Sequence, residues 1–168
     1  IPEFEQKFGV KVNYDVYDGN ETLLAKMQAG ATGFDVIFPS DYMVGIMINL
    51  GLLEPLDKSK IPNLANLGPH FLDQPFDPQN VYSIPYTWGT AGIGYRADKI
   101  AEPVESWGIL FEPKYTGRIV LLDDMRETIG IALKYLGYSY NSATPEELQK
   151  AKALLIKQKA LVKAYSSS

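Results

Sequence analysis

The chain has 168 residues, 46% hydrophobic and 21% charged, a balance that fits a globular protein with a buried core and excludes a disordered one. It has no cysteine, which rules out disulfides, thiol nucleophiles and cysteine-based zinc sites. A formal net charge of -4 argues against a nucleic-acid partner, which needs a concentrated Lys/Arg surface, and suits a cationic ligand.

No stretch approaches the roughly 18 consecutive apolar residues of a membrane span. The longest, Tyr42 to Leu53, is broken by Gly45, Asn49 and Gly51. The first residues carry no basic, apolar and small-residue succession of an export signal.

Ile1, Phe4 and Phe8 share one helical face, and Gly9 stands where a C-terminal cap belongs. Val10 to Val16 alternates and is rich in β-branched and aromatic residues, which predicts a strand. Asn20 is placed to cap a helix with Leu23, Leu24 and Met27 on its apolar side and Gly30 at its end. Phe34 to Phe38 reads as a second short strand. Strand, helix and strand make a βαβ unit, whose ligand sites lie beyond the carboxyl ends of the strands. Pro39, Ser40, Asp41 and Tyr42 occupy such a position, just before the apolar helix of Met43 to Leu50.

Asp57 to Asn80 is turn-rich, with prolines at 62, 69, 75 and 78. Tyr82 to Tyr95 (YSIPYTWGTAGIGY) reads as an extended aromatic strand crossing between two lobes, with its middle as hinge. Its glycines give GxxGxG, which is not the dinucleotide fingerprint and fits hinge backbone better. Arg118 to Leu122 is expected as a buried strand running into Asp123-Asp124-Met125-Arg126-Glu127, followed by a helix to about Leu136 and Gly137. Thr144 and Glu147 have the spacing of a capping box for a further helix to about Lys157, and Leu161 to Tyr165 reads as one more strand. The chain reads as opening inside a helix and closing with its second lobe barely begun, so an incomplete chain is expected.

Asp124 and Glu127 carry two readings. Their spacing is that of a helix N-cap and its N3 partner. Carboxylates at a strand-to-helix turn also suit an ammonium group, held by charge-assisted hydrogen bonds. Tyr42, Tyr86 and Trp88 are either core or the walls of a slot for an aliphatic cation, since ring faces attract ammonium and cover methylenes. Trp107 and Phe111 read as core. His70, the only histidine, lies in a loop without an accompanying nucleophile motif.

Five segments taken together are similar to the polyamine-binding proteins that serve bacterial ABC importers of spermidine and putrescine. They are YDGNETLLAKM at 17 to 27, FDVIFPSDYM at 34 to 43, PLDKSKIPNLANL at 55 to 67, FDPQNVYSIPYTWGTAGIGY at 76 to 95 and YTGRIVLLDDMRETIGIALKYLGYS at 115 to 139. The resemblance implies an α/β, two-lobed periplasmic binding protein-like fold of type II, here a partial chain. Residues 1–86 would belong to the first lobe, 87–95 to the hinge and 96–168 to the second lobe. By the same resemblance Ser40 and Tyr42 belong to the first-lobe wall of the cleft, Asp124 and Glu127 hold the ligand's amines, and Tyr86 and Trp88 lie near it on the crossing segment.

The function implied is capture of a polyamine by hinge closure and its delivery to the membrane permease of an ABC importer. No cofactor and no catalysis are implied. The expected location is the periplasm or the outer face of the cytoplasmic membrane, free or lipid-anchored. The family's aromatic-rich segment ahead of Ile1 and its later Trp and Asp positions are not in this sequence, so the resemblance implies a polyamine without choosing between spermidine and putrescine. Two alternatives remain: the same fold binding another small cation or a metal ion, and a hydrolase using Asp124 and Glu127 as acid and base. A hydrolytic pair usually flanks its bond from opposite sides, whereas these two share one side of a helical turn.

Overall fold

Leucine and methionine at helical spacing build the core of the first part of the chain. The computed structural model describes residues 1–166, and helices α1 (Pro2–Phe8), α2 (Asn20–Gln28) and α3 (Asp41–Asn49) come first. Leu23 of α2 meets Met43 and Met47 of α3 in a buried cluster, flanked by Tyr17, Leu24, Met27, Ile37, Tyr42 and Ile46. Gly45 of α3 faces Phe76 in the loop beyond it, where a Cβ would stand in ordinary van der Waals contact with Phe76 Cβ at 3.5 Å. The apolar side chains of α1 and its cap, Ile1, Phe4 and Phe8, are all exposed.

The strands expected at Val10 to Val16, Phe34 to Phe38 and Tyr82 to Tyr95 are not formed. Their alternation is compatible with an extended chain, but a strand also needs a neighbour to exchange ladder bonds with. Side chains take part of that role here. Val12 N–H donates to Glu5 Oε1 at 2.8 Å, and Tyr17 Oη donates to the Phe38 carbonyl at 2.6 Å. The βαβ unit predicted around α2 is therefore absent among the described residues.

From Asp57 to Asn80 the chain winds through four short 3₁₀ turns, three of which start at a proline. Further 3₁₀ turns at Trp107–Phe111 and Pro113–Tyr115 lead into β1 (Ile119–Leu122), α4 (Met125–Tyr135), α5 (Pro145–Gln158) and β2 (Val162–Ser166). β1 and β2 pair in parallel, Ile119 opposite Val162 and Leu122 opposite Ser166, with an irregularity between Ile119 and Val120. Parallel neighbours need a crossover, and the α4–α5 hairpin supplies it. β1 buries Ile119 and Leu121 and exposes Val120 and Leu122, the alternation of a sheet with one covered face.

Ala132, Leu133 and Ala151 form the centre of this second core, with Phe111, Ile129, Leu136, Tyr138, Leu148, Leu154 and Leu155 around them. Phe111 stacks on Tyr135 with centroids 4.6 Å apart, while Trp107 is half-buried. α4 stops at Gly137, whose φ of 84° lets Tyr138 N–H turn back to the Leu133 carbonyl at 2.9 Å. The predicted capping box at α5 is not made. Thr144 is the N-cap residue without a side-chain cap bond, and Ser142 takes both reciprocal partners: its hydroxyl donates to the Glu147 carboxylate and accepts Thr144 N–H at 3.3 Å.

The chain divides into two compact units, Ile1–Trp88 and Gly89–Ser168. Ser167 and Ser168, the last residues of the expected second lobe, lie outside the described residues. Leu133→Ala should cost about 2–5 kcal/mol through the cavity it leaves, measured by urea unfolding. Ile156→Ala, at a position 64% exposed, should stay within about 0.5 kcal/mol of wild type.

Candidate functional site

The structure gathers the expected site residues into separate groups, two on the first unit and one on the second. Ser40 is the N-cap residue of α3, with extended backbone but no side-chain cap bond. Its polar atoms face α2 instead. Ser40 N–H donates to Asn20 Oδ1 at 3.1 Å, and Asn20 Nδ2 donates to Ser40 Oγ at 3.0 Å and to Tyr42 Oη at 3.0 Å. Tyr42 Oη in turn donates to Glu21 Oε1 at 3.3 Å. Asn20 is thus the first residue of α2 and not its cap, which is Gly19. Its carboxamide is committed to tying the starts of two helices together.

Tyr86 and Trp88 follow the turn-rich segment, each against a phenylalanine. Tyr86 meets Phe38 edge-on with centroids 5.2 Å apart, and Trp88 lies tilted against Phe71 at 5.9 Å. They are 82% and 72% exposed, so neither is a core residue of the first unit. Of the two sequence readings, buried packing does not describe them.

On the second unit Asp124 ends the turn after β1 with extended backbone, and its Oδ1 accepts both Arg126 N–H and Glu127 N–H at 2.9 Å. The capping reading therefore holds, and it engages only one oxygen. Asp124 Oδ2 takes no hydrogen bond from another described residue. Glu127 divides its carboxylate similarly: Oε2 accepts the Tyr140 hydroxyl, and Oε1 is left without a donor among the described residues. Burial, and then the hydrogen bond to Glu127, push the Tyr140 phenol well above its ordinary range, which keeps it protonated and donating. Two neighbouring carboxylates, each with one oxygen spoken for and one left over, can accept the N–H groups of a cation.

No group of three or more His, Cys, Asp or Glu side chains among the described residues is arranged to hold a metal ion. His70 packs on Phe71 with ring centroids 4.0 Å apart. No helix among the described residues is long and apolar enough to cross a membrane.

Residues 1–168 match the family model described as bacterial extracellular solute-binding protein. The chain belongs to this family. As a solute-binding protein it is 41% identical over 169 residues to the spermidine/putrescine-binding periplasmic protein of Escherichia coli (strain K12), an alignment covering 99% of this chain and 49% of that protein. It is 39% identical to the putrescine-binding periplasmic protein SpuD of Pseudomonas aeruginosa, covering 100% of this chain and 49% of the relative.

Among solved structures, the spermidine/putrescine ABC transporter substrate-binding protein PotD of Streptococcus pneumoniae superposes with a TM-score of 0.76 at 41% identity, over 99% of this chain and 51% of that one. The TpPotD lipoprotein of Treponema pallidum gives 0.87 at 36% identity, over 99% and 53%. The two-lobed α/β binding-protein fold expected from the sequence is therefore that of its structural relatives. This solute-binding protein chain spans about half the length of the curated relatives it matches.

Three polar residues of these groups carry no site signal in the sequence. Asn20 reads there as a cap, and Glu21 and Tyr140 match no site motif. An asparagine twenty residues ahead of a serine has no periodic pattern to mark it.

Proposed function

We propose that this chain is part of the polyamine receptor of an ABC importer, taking up spermidine or putrescine outside the cytoplasmic membrane and passing it to the membrane permease. The observation that carries this reading is the carboxylate pair Asp124 and Glu127 at the start of α4, each with one uncommitted oxygen, in a chain 41% identical over nearly its whole length to a spermidine/putrescine-binding protein. A primary ammonium has three donors and no acceptor, so it matches acceptor-only carboxylates. Charge-assisted bonds of this kind are about twice as strong as neutral ones.

The ring faces of Tyr86 and Trp88 are suited to the methylenes and ammonium groups of the same ligand, each cation contact contributing roughly 0.5–2 kcal/mol. Ser40 and Tyr42, fixed by Asn20, supply a polar wall on the first lobe. Residues 87–95 serve as the hinge whose bending closes the lobes, the motion typical of periplasmic binding proteins. The ligand leaves unchanged, so the protein is a carrier and not an enzyme. Its place is the periplasm or the outer face of the cytoplasmic membrane, consistent with relatives named as periplasmic proteins and a lipoprotein.

Calorimetric titration of spermidine and putrescine into the protein at its full natural length, with chelator present, tests this reading. Saturable binding of a polyamine, and none of an uncharged diol of similar length, is the expected result. Heat from neither amine would overturn it, and binding abolished by the chelator would move the assignment to a metal ion.

A further inference from the structure

The geometry points to Tyr140 as a positioning residue for Glu127, with Gly130 as the gap in α4 that lets its ring lie there. The inference rests on Glu127 being a ligand carboxylate. Tyr140 is thirteen residues beyond Glu127, past the end of α4 and the turn at Gly137, yet its ring returns across the helix. Its hydroxyl donates to Glu127 Oε2 and lies 3.4 Å from the Glu127 carbonyl oxygen.

Gly130, one turn after Glu127, is buried. A Cβ built there would stand 2.6 Å from Tyr140 Cε1, a distance no real pair of carbons tolerates. Alanine is the better residue in a helix interior, so local helix stability does not explain glycine here. The space is taken by the Tyr140 ring.

A glutamate in the first turn of a helix has several rotamers open to it, and fixing one lowers the ordering cost when a ligand arrives. The Tyr140 hydroxyl holds one oxygen and leaves Oε1 to the ligand. Asp124 is fixed by its own cap bonds in the same way. The pair is thereby set before binding, and Tyr140 acts through Glu127 without touching the amine itself.

The test measures spermidine and putrescine affinity by calorimetry for the wild type, Glu127→Gln, Tyr140→Phe, Gly130→Ala and the double variants, in the protein at its full natural length. Tyr140→Phe keeps the ring and removes only the hydroxyl, so a packing role alone predicts unchanged affinity. The positioning role predicts binding about 3- to 10-fold weaker, the order of one net hydrogen bond. Gly130→Ala should weaken binding similarly by displacing the ring, and Gly130→Ala with Tyr140→Phe should be no weaker than the worse of the two. In a Glu127→Gln background Tyr140→Phe should have no further effect.

Weaker binding by Glu127→Gln together with wild-type affinity in both Tyr140→Phe and Gly130→Ala overturns the positioning role and leaves the receptor reading intact. No binding by the wild type, or full affinity in Glu127→Gln, overturns the reading of Glu127 and this inference with it.

Discussion

Asp77→Ala is expected to destabilise the first unit by about 3–5 kcal/mol, the loss associated with leaving several buried donors without their acceptor. Asp77 is 1% exposed. Its carboxylate accepts Val81 N–H at 3.0 Å, Tyr82 N–H at 3.1 Å, Ser83 N–H at 2.7 Å and the Ser83 hydroxyl at 2.7 Å. The knot extends backwards: Asn80 Oδ1 accepts Asp73 N–H at 2.9 Å, and Asp73 Oδ1 accepts Gln79 N–H at 2.8 Å. Asp73, Gln79 and Asn80 all have left-handed backbone, with φ of 55°, 62° and 51°, which non-glycine residues hold only when surrounding bonds over-determine it.

Asp77→Asn tests the same point with almost no change of shape. Its amide would turn donors toward Ser83 N–H or the backbone of Tyr82, so about half or more of the loss should remain. Urea unfolding of the three proteins gives the answer, and a change below about 1 kcal/mol in Asp77→Ala would show that the turn is held by something else. Because Tyr86 and Trp88 follow this knot within a few residues, their placement depends on it.

Asp124 offers the second large effect, and the choice of substitution separates its two roles. Asparagine caps a helix as well as aspartate does, so Asp124→Asn should unfold within about 0.5 kcal/mol of wild type. Its polyamine affinity should nevertheless fall about 10- to 100-fold, as expected for losing a charge-assisted bond worth about 1.5–3 kcal/mol. Asp124→Ala loses the cap bonds to Arg126 N–H and Glu127 N–H as well and should also cost about 1 kcal/mol of stability. Full affinity in Asp124→Asn would leave Asp124 as a cap alone and remove it from the site.

Helices were legible from the sequence because their signals are local. The apolar spacing of Leu23, Leu24 and Met27, the cap at Asp124 and the stop at Gly137 all act within one element, and the structure places α2 and α4 accordingly. Strands were legible only where a partner exists. Ile119–Leu122 and Val162–Ser166 find each other, while Val10 to Val16 and Phe34 to Phe38 have the same alternation without ladder bonds. Periodicity reports which conformation suits a segment, and pairing is a property of two segments.

Polar side chains show a similar limit. Asn20 and Glu147 have the right types at the right spacing for caps, but Ser40, Tyr42 and Ser142 compete for them from outside the motif. The acidic pair was visible because the cap at Asp124 and the amine contacts proposed for the pair both fall on one turn of helix. The tyrosine that orients Glu127 was not, since only the folded return of the chain past Gly137 brings it there.

The parallel pairing of β1 and β2 bears on the order of assembly in the second unit. The two strands are separated in sequence by both helices, so their pairing has to meet the entropy of closing a long loop. The α4–α5 hairpin needs a far shorter closure and contains the buried Leu133 and Ala151 contacts. Local contacts of that kind form faster than distant ones. The hairpin is therefore placed to act as the folding template, on which β2 is delivered last to the edge of β1.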